Sequence, residues 1–191
     1  HAAVLTGDVV DAGNRFYEAY SVLQAGVRRL LDHDVPVFAV AGNHDHDVLS
    51  RLADEVDGFR LLGRGGCWEA AAVNADGATV RLLGWSFPER YVRISPLEMG
   101  FPAVADDGLT VGVLHCDCFA ASSTYAPVPL AELRASPVAA WLLGHIHRPM
   151  LLAESRPLVL YPGSPQGLDP GEPGTHGAWL VELQRGAAPR A

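Results

Sequence analysis

From Val35 to Ala41 the chain reads VPVFAVA, almost without a polar side chain, and it stops at Gly42. A strand with one wet face alternates apolar and polar residues. One this uniformly apolar is buried on both faces, as in a parallel sheet covered by further layers. The preceding segments suit that reading. Ala2–Leu5 is a short apolar strand ending at Thr6-Gly7-Asp8. Between the two strands, Phe16, Tyr20, Leu23, Val27, Leu30 and Leu31 recur at helical spacing, which predicts a helix over Asn14–His33 with Asn14 as N-cap. A shorter helix is expected over Asp47–Val56. Parallel strands need such crossovers, so the chain opens as a βαβα unit.

The remainder is mostly strand. Phe59–Leu62, Trp68–Val73 and Thr79–Trp85 are strand-like, with Asn74-Ala75-Asp76-Gly77 as a hairpin-type turn. Residues 88–107 are irregular, broken by Pro96 and Pro102. Leu109–Leu114 is a strand that ends at His115, and a Ser-rich loop follows over 118–127. After a short helix over Pro129–Ala135, the strand Ala140–Leu143 runs into Gly144. Strands are expected at Met150–Glu154, Leu158–Tyr161 and, beyond a Pro/Gly-rich loop over 162–174, at Gly177–Glu182. The order predicts an α/β fold of two mixed sheets packed together with helices outside, a core over 1–184 and a flexible tail over 185–191. At 191 residues this is one domain or a large part of one. No apolar run reaches the length that spans a bilayer, so no membrane partner is expected. The start lacks the features of a signal peptide and is expected to lie inside the fold. The three cysteines, Cys67, Cys116 and Cys118, have no zinc-ribbon spacing and read as reduced thiols in a cytoplasmic protein.

Four polar motifs each follow an apolar strand: Gly7-Asp8, Gly42-Asn43-His44-Asp45, His115, and Gly144-His145-Ile146-His147. Strand ends are where an α/β sheet presents its chemistry. Singly, each motif has a plainer meaning. An Asp after a strand is commonly a turn residue, Asn43–Asp45 suits an Asx turn entering a helix, and a lone His at a strand end is usually a half-buried one. Jointly they supply Asp8, Asn43, His115, His145 and His147 as metal ligands, a set for two divalent cations, the usual device for cleaving phosphate esters. His44 could then act on the substrate, with Asp45 fixing its orientation and charge. Nitrogen and oxygen donors without thiolate suit Mn, Fe or Zn. The net charge of −8, with all 14 basic residues arginine, counts against a strong unaided grip on DNA. Bound metals would offset that deficit locally.

The order Asp, Asn-His-Asp, His, His-x-His resembles the signature of calcineurin-like metallophosphoesterases over nearly the whole chain. That resemblance implies a four-layer α/β sandwich with the site at its edge. It implies that Asp8 bridges two metals, that Asn43, His115 and His145 complete one, and that His147 belongs to the other. His44, backed by Asp45, would stabilise or protonate the leaving group. Mn is the expected metal, with Fe or Zn as alternatives. The family opens with an Asp-x-His motif on an earlier strand. Residues before Asp8 do not supply it, so the first strand and helix are expected to be missing and one metal to be short of ligands.

The segments LLGHIHRPM and YPGSPQGLDPGEPGTHGAWLVEL, with Leu62–Gly66 and Tyr125–Pro127, are similar to the SbcD-like branch of DNA-repair exonucleases. This implies DNA as substrate, a Tyr161–Ser164 loop near the site, a coiled-coil ATPase partner and a homodimer. Arg148 is a further candidate for contacting a substrate phosphate. The expected function is metal-dependent hydrolysis of phosphodiesters by a DNA exonuclease-like protein. The alternatives are a phosphodiesterase or phosphatase for small nucleotides or phosphoproteins, and a non-catalytic metal-binding or partner-binding module. His33, His46 and His176 are expected at the surface, and the four tryptophans in the core.

Overall fold

The computed structural model describes residues 1–11, 13, 16–75, 77–104, 109–167 and 169–191. The chain begins β1 (Ala3–Leu5), α1 (Phe16–Leu31), β2 (Val37–Ala39), α2 (Val48–Glu55) and β3 (Phe59–Leu61). It continues β4 (Glu69–Ala75), β5 (Ala78–Trp85), β6 (Thr110–His115), α3 (Leu130–Ala135), β7 (Ala140–Gly144), β8 (Met150–Ala153) and β9 (Leu158–Tyr161). The strands form a three-stranded sheet, β1-β2-β3, and a six-stranded sheet, β4-β5-β6-β7-β9-β8. The second is mixed as expected. β5, β6, β7 and β9 run parallel, while β4 and β8 pair antiparallel at its two edges. The first sheet is parallel throughout rather than mixed, with Val37 opposite both Ala3 and Phe59. α1 and α2 are its crossovers, and a helical crossover returns the chain in the same direction.

The apolar run around β2 has a direct explanation in the packing. Val37, Ala39 and Ala41 pack with Val27 of α1 and Leu49 and Leu52 of α2. Phe38 and Val40 point the other way, onto Leu82, Val111, Val113 and Leu160 of the second sheet. The far face of that sheet presents Trp141, Leu143, Val159 and Tyr161 to Leu133 of α3. Each of these large side chains contributes roughly 1.5–3 kcal/mol by leaving water. Trp141 also satisfies its ring N–H, donating to Ser136 Oγ at 2.8 Å and to the Leu133 carbonyl at 3.1 Å. Helices, three-stranded sheet, six-stranded sheet and the α3 side make the four layers.

Several boundaries differ from expectation. β4 runs on to Ala75, opposite Ala78, so the β4–β5 hairpin turn is tighter than the four residues predicted. Asp76 of that turn and the predicted N-cap Asn14 lie outside the described residues. Gly177–Glu182 does not join a sheet. Trp179, Val181 and Leu183 pack against the inter-sheet core, while Glu182 exchanges backbone hydrogen bonds with Arg190 at 2.8 and 3.0 Å. Its backbone is thus engaged by residues of the expected tail. Cys67, Cys116 and Cys118 are free thiols. Among the described residues no helix is long and apolar enough to cross a membrane.

β1 is an edge strand of the first sheet. A cavity of about 550 Å³ borders it, lined by Val4, Leu82, Val111, Leu160 and Trp179 and reaching Asp8. The C-terminal ends of β6 and β7 lie side by side, His115 opposite Gly144, and the loops after β1 and β2 converge on the same point.

Candidate metal centre

His115, the last residue of β6, is fully buried and stands at the centre of the convergence. Its Nδ1 lies 3.0 Å from the Thr6 carbonyl oxygen. A carbonyl only accepts, so Nδ1 carries a proton and donates, and in the neutral ring Nε2 is a bare lone pair. That lone pair faces Asn43 Oδ1 at 3.0 Å and Asp8 Oδ2 at 3.2 Å. Three electron-rich atoms pointed at one another repel unless a proton or a cation sits among them. Burial works against the charge on Asp8, but the hydrogen bond and charge of His115 and the His44 amide outweigh it and hold the carboxyl below its usual value. The site is therefore arranged for a positive species, and these donors fit a divalent cation. Among the described residues no group of three or more His, Cys, Asp or Glu gathers at one point. The third donor beside Asp8 and His115 is an amide, Asn43.

The loops approach this closely because two positions lack a side chain. A Cβ on Gly42 would run into the Asp8 carboxylate and the His115 ring, and one on Gly144 would overlap the Thr6 carbonyl. Two of the expected ligands hold strained backbone, Asp8 at φ 51° and His145 at φ 100°. Such conformations cost on the order of 1–3 kcal/mol each and persist where surrounding contacts enforce them. The His145 ring meets His115 edge-on with centroids 5.4 Å apart and lies 4.9 Å from the Tyr125 ring. Burial and the neighbouring His115 push its pKa down to about 4. His145 is therefore neutral at physiological pH, with a lone pair free to coordinate.

Asp45 and His44 part company. Asp45 is fully buried, and its two oxygens accept the amide protons of Val9 and Gly42, both at 2.7 Å. It ties the loop after β1 to the loop after β2. Burial pushes its carboxyl up to about 6, partly offset by the Gly42 amide, so it is ionised at neutral pH. His44 is exposed. Its amide donates to Asp8 Oδ1 at 2.9 Å, and its ring lies 3.9 Å from the Asp11 carboxylate. Among the described residues no hydrogen bond joins Asp45 to His44, contrary to expectation. Asp45 turns inward and His44 outward, so adjacency in sequence does not make them a pair.

His147 stands at the surface, and its Nδ1 pairs with Glu172. Glu172 belongs to the Pro/Gly-rich loop after β9 and was not singled out from the sequence. The loop is seated by the Ser164 amide, which donates to the His147 carbonyl at 2.8 Å. His176, expected as a surface residue, is half-buried and bridges the loop, its ring nitrogens at 2.9 Å from the Ser164 carbonyl and 3.0 Å from that of Glu172. These two carbonyl contacts raise its pKa. Arg148 is exposed. The Tyr161–Ser164 segment does lie against the His-x-His motif, but only the position of the loop was legible, not its acidic partner for His147.

A helix-flanked pair of sheets with Asp, Asn and His gathered on strand-end loops is the frame of a metal-dependent hydrolase. Residues 1–149 match the Calcineurin-like phosphoesterase family, and the chain belongs to it. Members of that family hydrolyse phosphoesters with dinuclear divalent metal centres. The chain is also 27% identical over 199 residues to a Bacillus subtilis (strain 168) protein named uncharacterized metallophosphoesterase YhaO. The match covers 96% of this chain and 45% of that protein, so the chain spans a little under half the relative's length.

Proposed function

We propose that the full-length protein is a metal-dependent phosphodiesterase acting on DNA in the manner of SbcD-like exonucleases. The observation that carries the metal-dependent part is His115 Nε2 facing Asn43 Oδ1 and Asp8 Oδ2, a point that a proton or a cation must fill. Asp8, Asn43, His115 and His145 would hold one cation, and Asp8 with His147 would hold part of the second. When bound, such cations supply activated water and neutralise charge on the phosphoryl group. Asp45 keeps the two loops in register, the Glu172 carboxylate fixes the His147 ring, and exposed His44 delivers a proton to the leaving oxygen. Arg148 contacts a substrate phosphate.

An Asp-x-His pair of the full-length protein would complete the second cation, and a strand carrying it would fit the open edge of β1. Two features support this placement: the edge of β1 is unpaired among the described residues, and the apolar cavity beside it ends at Asp8. DNA as substrate, Mn as metal, a dimer and a coiled-coil ATPase partner rest on the likeness of the C-terminal half to the exonuclease branch. The acidic net charge favours a second reading, hydrolysis of small nucleotides.

The test is Mn-dependent digestion of end-labelled linear DNA by the full-length protein, with His115→Ala as control. Shortening that requires both Mn and His115 supports the nuclease. Hydrolysis of free nucleotides with DNA left intact moves the reading to small substrates. Metal binding without hydrolysis of either leaves a non-catalytic module.

A further inference from the structure

A row of rings leads outward from the metal residues. Buried His115 meets His145, His145 meets Tyr125 at 4.9 Å, and Tyr125 meets Tyr91 with centroids 6.0 Å apart and planes tilted by 41°. The guanidinium of Arg90 lies 5.6 Å from the centre of the Tyr91 ring. Tyr91 is 48% exposed, among the larger exposed apolar groups of the chain. The row is held in place by backbone. Val92 and Tyr125 form a parallel bridge, closed by the Val92 amide on the Thr124 carbonyl at 2.9 Å and the Ala126 amide on the Val92 carbonyl at 2.8 Å. The Tyr125 carbonyl in turn accepts the Asp117 amide at 3.0 Å, which ties the row to the loop that follows His115. Ala126 is fully buried with φ 49°, so this segment is locked rather than loose.

The Tyr91 ring is half-exposed and stands two ring contacts from a candidate metal ligand. Its chemistry is that of a stacking platform, and Arg90 beside it adds a positive charge in a chain with a net charge of −8. Flat aromatic groups joined to anionic phosphate are what such a pair recognises, because every nucleobase has a π face and arginine binds phosphate oxygens. We propose that Tyr91, backed by Tyr125 and flanked by Arg90, stacks on a nucleobase of the substrate and sets the preference for nucleotidyl over simple alkyl phosphodiesters. Tyr125 acts as a positioning residue, linking the platform to His145. The proposal deepens the phosphodiesterase reading and rests on it for the site at which the phosphate lies.

The test compares two chromogenic diesters on the full-length protein in Mn: the p-nitrophenyl ester of thymidine 5′-phosphate and ethyl p-nitrophenyl phosphate. Base stacking on an aromatic side chain is worth about 1–3 kcal/mol. Tyr91→Ala should therefore lower the ratio of kcat/KM for the thymidine ester over the ethyl ester by about 5- to 150-fold, chiefly through KM. Tyr91→Phe should keep the ratio. An unchanged ratio in Tyr91→Ala overturns the proposal. If neither ester is hydrolysed by the parent protein, the phosphodiesterase reading fails, and calorimetric binding of thymidine 5′-monophosphate against deoxyribose 5-phosphate decides the platform separately. Preference for the nucleotide that Tyr91→Ala removes upholds it, and equal binding overturns it.

Discussion

Asp45→Asn should make the protein more stable at neutral pH relative to acid. The native carboxyl titrates at about 6 against an ordinary value of 3.8. At 1.36 kcal/mol for each pKa unit, the fold prefers the protonated form by about 3 kcal/mol. The native state binds this proton more tightly than the unfolded chain does. The contribution is therefore complete below the unfolded value and is lost as pH rises through about 6. Asn does not titrate, so the variant keeps its stability where the parent loses it. The stability of the variant minus that of the parent should rise by roughly 2–2.5 kcal/mol between about pH 4 and about pH 7.

The subtraction is essential because His145 works in the opposite sense. Its pKa is depressed from 6.5 to about 4, so its contribution is present above 6.5 and is withdrawn as pH falls toward 4. The parent's own profile mixes the two and can look flat, whereas the His145 contribution is common to both proteins and cancels in the difference. The assay is urea unfolding of both proteins in excess EDTA across this range. A difference that changes by less than about 1 kcal/mol, or that falls as pH rises, refutes the reasoning. The amides of Val9 and Gly42 would then hold Asp45 ionised as readily as water does.

Three further outcomes are expected. His115→Ala removes the donor that faces both Asn43 and Asp8, and Mn affinity by titration calorimetry should fall by more than the roughly 10- to 100-fold typical of losing an outer partner. Glu172→Gln leaves the fold intact but weakens the hold on the His147 ring. One class of bound Mn in the full-length protein should weaken by about 10-fold while the other is unchanged. Gly144→Ala drives a Cβ into the Thr6 carbonyl, which is backbone and cannot swing aside. A loss of about 1–3 kcal/mol in urea unfolding is expected, and because Thr6 also accepts from His115, Mn affinity should fall with it.

The alternating roles along β2 explain what was readable. A strand covered on both faces must be apolar on both, and VPVFAVA carries that constraint in one short run. The loops after β1, β2, β6 and β7 each bear a polar motif directly behind such a strand, and that placement led to Asp8, Asn43 and His115, which do meet. Partners set by folding alone were not readable. Glu172 lies in a loop with no periodicity, 25 residues from His147. The inward turn of Asp45 follows from the amides of Val9 and Gly42, and Val9 is 36 residues away. The edge segment Gly177–Glu182 has the composition of a strand, but its backbone partner is Arg190 rather than a sheet.

Costs gather at the site, although left-handed backbone also occurs at Asp34 and Ala126. Left-handed backbone at Asp8 and His145 and a buried ionised carboxylate at Asp45 lie within its loops. Each opposes folding by one to a few kcal/mol. In the hydrophobic layers β2 and β6 are buried with regular register, while β8 and β9 pair with an irregularity between Leu151 and Ala153 and the Trp85 ring N–H is buried without a partner. A chain selected for stability alone would relax these loops with an uncharged residue at position 45. Keeping them makes sense if a cation restores what they cost, since a ligand that binds only the folded state stabilises it by about 2.7 kcal/mol at a hundred times its Kd. The arrangement of donors and the arrangement of strain thus point to the same atoms.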